Sequence, residues 1–256
     1  FNPMVARYAI VPVGEKVRVV GEPVAVVLTE DRTQGEDAAE RVIMRDLQHL
    51  DEVMSGMGRT GTLHAWEQEG VSPDIQVIAK GLGGGYQPIG GILVHGRVVE
   101  TLKRGTGTFK HGHTYQAHPV ACAAALAVQE VIAQENLLAN ARAMGALLER
   151  GLVERLGNHR HVGDIRGRGL FWAVEFVQDR ASKSTFDPAL GVNERIKHAA
   201  FAHGLACYPM GGTIDGKHGD HVILSPPYIV NARDVEMIVE RFGTAVDEVF
   251  ASLPKS

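Results

Sequence analysis

The sequence predicts an α/β protein in which short apolar strands alternate with turns and helices, with a second, smaller α/β unit after the first. Three observations lead there. Apolar runs of strand length, such as Ile75 to Ala79 and "GGILV" ending at Val94, are bounded by glycine and proline. From Pro119 onward, long alanine- and leucine-rich stretches carry helical patterning. Of 256 residues, 45% are hydrophobic, which supplies a core for one large or two ordinary domains.

In chain order, residues 17–30 ("VRVVGEPVAVVLTE") read as two β-branched runs around Gly21, Glu22 and Pro23, and "TQGEDAAERV" as a short helix. "IMRDLQHLDEV" then breaks the pattern. Arg45, Asp46, Gln48 and His49 stand where a buried strand leading to Asp51 needs apolar residues, which marks a seam near residues 43–50. A glycine-punctuated stretch follows, then a strand ending at Lys80 and the run "GGILV". Pro119 starts a helix at the first turn, where its missing N–H costs nothing, and "LLANARAMGALLERGLVERL" extends it after Asn136. Beyond lie a strand "GLFWAVEFV", a helix around "NERIKHAAFAHG", short strands near Leu205–Tyr208 and Val222–Leu224, and a final helix from Ala232 to about Ser252.

Composition excludes several classes. The formal charge is -4 with both signs interspersed, so no basic stripe would follow a phosphate backbone or an anionic membrane, and neither nucleic acid nor membrane is an expected partner. The two cysteines, Cys122 and Cys207, are too few for a disulfide framework and fit a reducing compartment. No bilayer-length apolar run or signal-peptide pattern is seen, and a cytoplasmic location is expected.

Lys80 raises the chemical question, because an amine desolvated by apolar neighbours becomes a Schiff-base nucleophile near neutral pH. A strand-end lysine reaching solvent is the competing reading. Asp51 lies far enough upstream for a crossover that returns the chain beside it, so the two residues would meet at neighbouring strand ends. A lysine and a carboxylate so placed suit a pyridinium cofactor, the one forming the imine and the other keeping the ring nitrogen protonated. The loop "GTFKHGHTYQAHP" adds the Thr114 hydroxyl and backbone N–H groups ahead of a helix, a setting that favours phosphate. His111, His113 and His118 carry H-x-H spacing, but no cysteine or acidic residue stands near to complete a metal shell. "GLGGG" is neither a dinucleotide fingerprint nor a Walker loop, and reads as a tight turn.

"LDEVMSGMGRTGTLHAWEQEGVSPDIQVIAKGLGGGYQPIGGILV" with "HGHTYQAHPVACAAALA" resembles the class III, or omega-type, pyridoxal-phosphate aminotransferases of fold type I. The likeness runs from about Asp51 to the C-terminus, through "DIRGRGLFWAVEFVQDR" and "YPMGGTIDGKHGDHVILSPPYIV". It implies that Lys80 forms the imine with pyridoxal 5'-phosphate and shuttles a proton between the substrate carbon and the cofactor. Asp51 would pair with the pyridine nitrogen and Val53 would pack on a ring face. Thr114 would bind the phosphate of a neighbouring subunit's cofactor, which implies a homodimer. The implied reaction moves an amino group from an amine or amino acid to an oxo acid. A racemase or decarboxylase using the same lysine is the alternative enzyme.

Family members carry a long segment ahead of the Asp motif. Here residues 7–42 instead resemble a piece of the large subunit of molybdenum hydroxylases such as xanthine dehydrogenase. The expected organisation is therefore an incomplete fold type I: a foreign β-β-α segment at 1–45, a partial cofactor-binding large domain at 46–136 and a small α/β domain at 137–256. A fused, truncated chain of this kind is expected to have impaired catalysis alone, or to be a non-catalytic remnant. Positions where relatives hold a substrate carboxylate with arginine fall near Tyr208 and Ile223, neither of which is arginine; Arg166 and Arg168 are candidates for anion contact, with a plain surface role the favoured reading, and Tyr228 either lines the site or packs in the core.

Overall fold

A computed structural model of the chain describes residues 47–112 and 114–253. The segment likened to molybdenum hydroxylases, and the expected unit 1–45 as a whole, lie outside the described residues. The described chain divides into two units, residues 47–57 with 64–131, and residues 58–63 with 132–253. The short segment 58–63 thus belongs with the C-terminal unit.

The first unit holds a mixed three-stranded sheet of β1 (His49–Asp51), β2 (Ile75–Ile78) and β3 (Gly91–Val94), in that spatial order. β1 and β2 are parallel, with Asp51 opposite Val77, while β2 and β3 are antiparallel. A strand does reach Asp51 despite the polar residues before it. Asp74 makes this workable: its Oδ2 accepts from Gln48 N at 3.0 Å, and its own N–H donates to Gln48 O at 2.8 Å. β1 is short and partly exposed, so Gln48 and His49 need not be apolar. Asp74 is also gripped by Arg97, whose Nε and Nη2 take both carboxylate oxygens, and this pulls the Asp74 pKa down to about 2. Arg97 sits on α1 (Gly96–Arg104), a helix absent from the sequence reading, whose start is capped by His95 Nδ1 accepting from Arg97 N.

β2 stops at Ile78, two residues short of the expected end. Lys80 adopts a left-handed φ of +42° and opens a 3-10 turn, Lys80–Leu82, so the ladder cannot continue. α2 (Pro119–Gln134) begins at the proline as expected. Its Gln129 reaches back to that turn, donating to Leu82 O at 3.0 Å.

α3 (Leu137–Leu156) is a separate helix rather than an extension of α2, because Asn136 takes a left-handed conformation, φ +52°, between them. The second unit then forms an antiparallel sheet, β4-β5-β7-β6, from β4 (Val162–Arg168), β5 (Phe171–Phe176), β6 (Tyr208–Gly211) and β7 (Asp220–Leu224). α4 (Val192–Ala202) and α5 (Ala232–Ser252) complete it. Leu148, Leu152 and Leu156 recur every four residues on α3 and are fully buried with Val174, Phe176, Val222, Phe242 and Val246. α3 comes close at Gly145, where a Cβ would stand 2.2 Å from Gly169 O. α5 starts on a reciprocal cap, with Asn231 Oδ1 accepting from Asp234 N and Asp234 Oδ2 accepting from Asn231 N.

Candidate active site

Parallel pairing of β1 and β2 brings their carboxyl ends to one edge of the sheet. Asp51 is the last residue of β1, and Lys80 follows just beyond the end of β2. Crevices at such strand ends are where open α/β sheets bind ligands. Asp51 is half-buried, and its Oδ1 accepts from Val53 N at 2.8 Å, which fixes the plane of the carboxylate. Oδ2 has no hydrogen-bond partner among the described residues and can accept one more donor. Val53 is itself half-buried beside it.

The sequence reading expected the Lys80 amine to be buried, and it is exposed. Lys80 lies past the sheet, where the chain turns, and Gly81, Gly83, Gly84 and Gly85 offer no side chains to cover it. Its Nζ has neither hydrogen bond nor ion pair among the described residues. Thr114 is exposed too, in the loop ahead of α2, and His113 beside it lies outside the described residues. The structure thus brings Asp51, Val53 and Lys80 to adjacent strand ends and leaves Thr114 on an exposed loop.

The three arginine and tyrosine candidates of the second unit sort differently. Arg166 Nη1 is held by Asp164 at 2.8 Å and Glu175 at 2.5 Å, so two carboxylates already pair with its charge. Arg168, at the end of β4, is exposed. Tyr228 packs under the Arg59 guanidinium, 4.6 Å from the ring centroid, and Arg59 donates to Leu170 O and Pro226 O. Burial raises the Tyr228 pKa, which suits packing. Tyr208 and Ile223 stand opposite each other across β6 and β7.

Sequence reasoning missed Glu52. It is 3% exposed, and its carboxylate accepts from Trp66 N at 2.8 Å, Ala65 N at 3.0 Å and Gln76 Nε2 at 2.9 Å. The available signal was Gln76, a polar residue inside the otherwise apolar run "IQVI". Among the described residues no group of three or more His, Cys, Asp or Glu side chains could hold a metal, and no helix is long and apolar enough to cross a membrane.

Comparison with known proteins places the chain among aminotransferases. The family model described as aminotransferase class-III matches residues 47–246. An uncharacterised aminotransferase of Schizosaccharomyces pombe is 50% identical over 206 residues, 80% of this chain and 45% of its own length. The diaminobutyrate–2-oxoglutarate transaminase of Halomonas elongata is 38% identical, over 80% of this chain and 43% of that protein. Among solved structures, a transaminase from the marine bacterium Virgibacillus superposes with a TM-score of 0.76 at 35% identity, covering 86% of this chain and 50% of that one. The chain spans about half the length of the relatives it matches. A match across this much of the sequence, on an α/β frame with an aspartate and a lysine at neighbouring strand ends, makes the chain a member of the class-III aminotransferases.

Proposed function

We propose that this chain carries the lysine and the ring-nitrogen carboxylate of a pyridoxal 5'-phosphate site and transfers an amino group from an amine or amino acid to an oxo acid. One observation carries the reading: Asp51 and Lys80 sit at the carboxyl ends of the adjacent parallel strands β1 and β2. The residues fit the group, because Asp51 Oδ2 is available to a pyridinium N–H while Val53 N–H steadies Oδ1. When bound, the cofactor supplies an aldehyde that condenses with amines and an electron-accepting ring.

Each residue then has a task. Asp51 would hold the proton on the ring nitrogen, and Val53 would lie against a ring face. Lys80 Nζ would serve as the amine that joins the cofactor aldehyde and as the general base and acid beside the substrate carbon. The Thr114 hydroxyl would donate to a phosphate oxygen, and in this reading that phosphate belongs to a second copy of the chain.

Borohydride reduction of the protein incubated with pyridoxal phosphate should fix the cofactor mass onto the peptide containing Lys80. Lys80→Ala should lose the adduct entirely, and a wild-type chain without the adduct would defeat the proposal. Transfer of label from a 15N-amine to an oxo acid separates amino transfer from racemisation or decarboxylation.

The exposed Lys80 amine favours a second reading, in which the chain alone has no catalysis. A thermal midpoint that does not rise with added cofactor supports that reading, since a ligand that binds only the folded form stabilises it.

A further inference from the structure

We propose that Glu52 is a positioning residue that aims Asp51 from the opposite face of the sheet, an inference that rests on the role given to Asp51 above. Side chains alternate along extended chain. Glu52 N still donates to Val77 O at 2.9 Å, so Glu52 continues the β1–β2 ladder with its side chain on the far face from Asp51, the face of Gln76.

There Glu52 is anchored at every oxygen. Oε1 accepts from Trp66 N, and Oε2 accepts from Ala65 N and Gln76 Nε2. Gln76, itself 3% exposed, accepts from Trp66 Nε1 at 3.0 Å and lies 2.7 Å from His64 Nδ1. The His64 and Trp66 rings stack at 5.5 Å, 8° from parallel. Gly56 seats its N–H on Glu52 O at 3.0 Å, and a Cβ there would stand 2.8 Å from the same oxygen. Both the strand behind Glu52 and the turn after it are therefore tied down. With its neighbour locked, the Asp51 Cα–Cβ direction is set before any ligand arrives, which is preorganisation of the carboxylate.

Glu52→Gln tests this. Whichever way the amide turns, its NH2 faces a backbone or side-chain donor that the carboxylate accepted, so the anchor must shift. The probes are pyridoxal phosphate and 1-deazapyridoxal phosphate, in which carbon replaces the ring nitrogen and no bond to Asp51 can form. Binding of each is titrated by fluorescence on the full chain. The wild type should prefer pyridoxal phosphate by about tenfold, the worth of a charge-assisted hydrogen bond. In E52Q that preference should fall towards one, with a smaller loss in Gln76→Met. Where E52Q does not fold, Q76M is read in the same way. Equal loss of affinity for both cofactors, or an unchanged preference, shows Glu52 to be structural only and overturns the proposal. Asp51→Asn separates the two ideas. Loss of preference in D51N but not in E52Q defeats only the positioning role. Intact preference in D51N, or a wild type that binds neither probe, defeats the reading of Asp51 and this inference together.

Discussion

The two units of the molecule are built differently. In the second, α3, α5 and the four-stranded sheet bury Leu148, Leu152, Leu156, Val174, Phe176 and Phe242 completely, and the principal buried cluster lies wholly within residues 141–249. In the first, the apolar residues that are buried, such as Ile75, Ile78 and Val98, each retain some exposure, while Tyr86 is 77% and Leu126 62% exposed. Ile92, Leu93 and Val94 of β3 are exposed as well. The unit with the apolar core carries no proposed catalytic residue, and the unit with Asp51 and Lys80 leans on polar clamps, Arg97 on Asp74 and Gln76 on Glu52. A close-packed core holds without specific partners, whereas a polar clamp is lost when one partner goes.

The two tryptophans make this contrast measurable, since Trp66 reports the first unit and Trp172 the second. The largest effect is expected from Phe242→Ala, which should destabilise the second unit by about 3–5 kcal/mol through cavity formation. Urea unfolding followed in a Trp66→Phe background should show it. If Trp66 fluorescence in a Trp172→Phe background shifts by as much, the units do not unfold separately and the contrast fails.

Next is Asp74→Ala, which removes the acceptor for Arg97 and Gln48 and should cost the first unit about 1–2 kcal/mol, Arg97 being partly exposed. The Trp66 signal should move and the Trp172 signal should not.

Acid should then sharpen the comparison. Burial holds His159, His161 and His221 of the second unit below the ordinary 6.5, against His49 in the first. His161 stacks on Phe250 at 4.6 Å and His159 lies 5.2 Å from the same ring. A histidine with a depressed folded-state pKa stabilises the fold above its unfolded value, and that contribution is lost as pH falls from about 6.5 through the folded value. The second unit's thermal midpoint should therefore fall more steeply with acid, and His161→Gln should flatten the slope. Asp74 behaves otherwise: held to about 2, it stabilises the first unit above 3.8, and that contribution is lost as pH falls from 3.8 through about 2.

The smallest stability effect belongs to Leu126→Ser on α2, within about 0.5 kcal/mol because the side chain is mostly exposed. Binding of a hydrophobic dye should nonetheless drop. An unchanged dye signal would place the first unit's sticky surface elsewhere.

Much of this was legible beforehand because it is local. Pro119 marks the start of α2, and the leucine spacing of α3 and the span of α5 can be read as period and caps. The adjacency of Asp51 and Lys80 followed from a crossover argument that needs only chain length. β4 was not legible, since "VGDIRGR" holds alternating polar residues and two glycines and is a strand because β5 pairs with it. α1 was missed because its exposed face leaves only Val98 buried.

By itself the sequence determined the family and the runs of α2, α4 and α5, because side-chain type and periodicity are written one residue at a time. Tertiary structure alone decided that Lys80 stands in the open, that Glu52 is buried among three donors and that residues 58–63 belong to the second unit. Burial and hydrogen bonding depend on what distant segments bring alongside, and no stretch of chain carries that in its own letters.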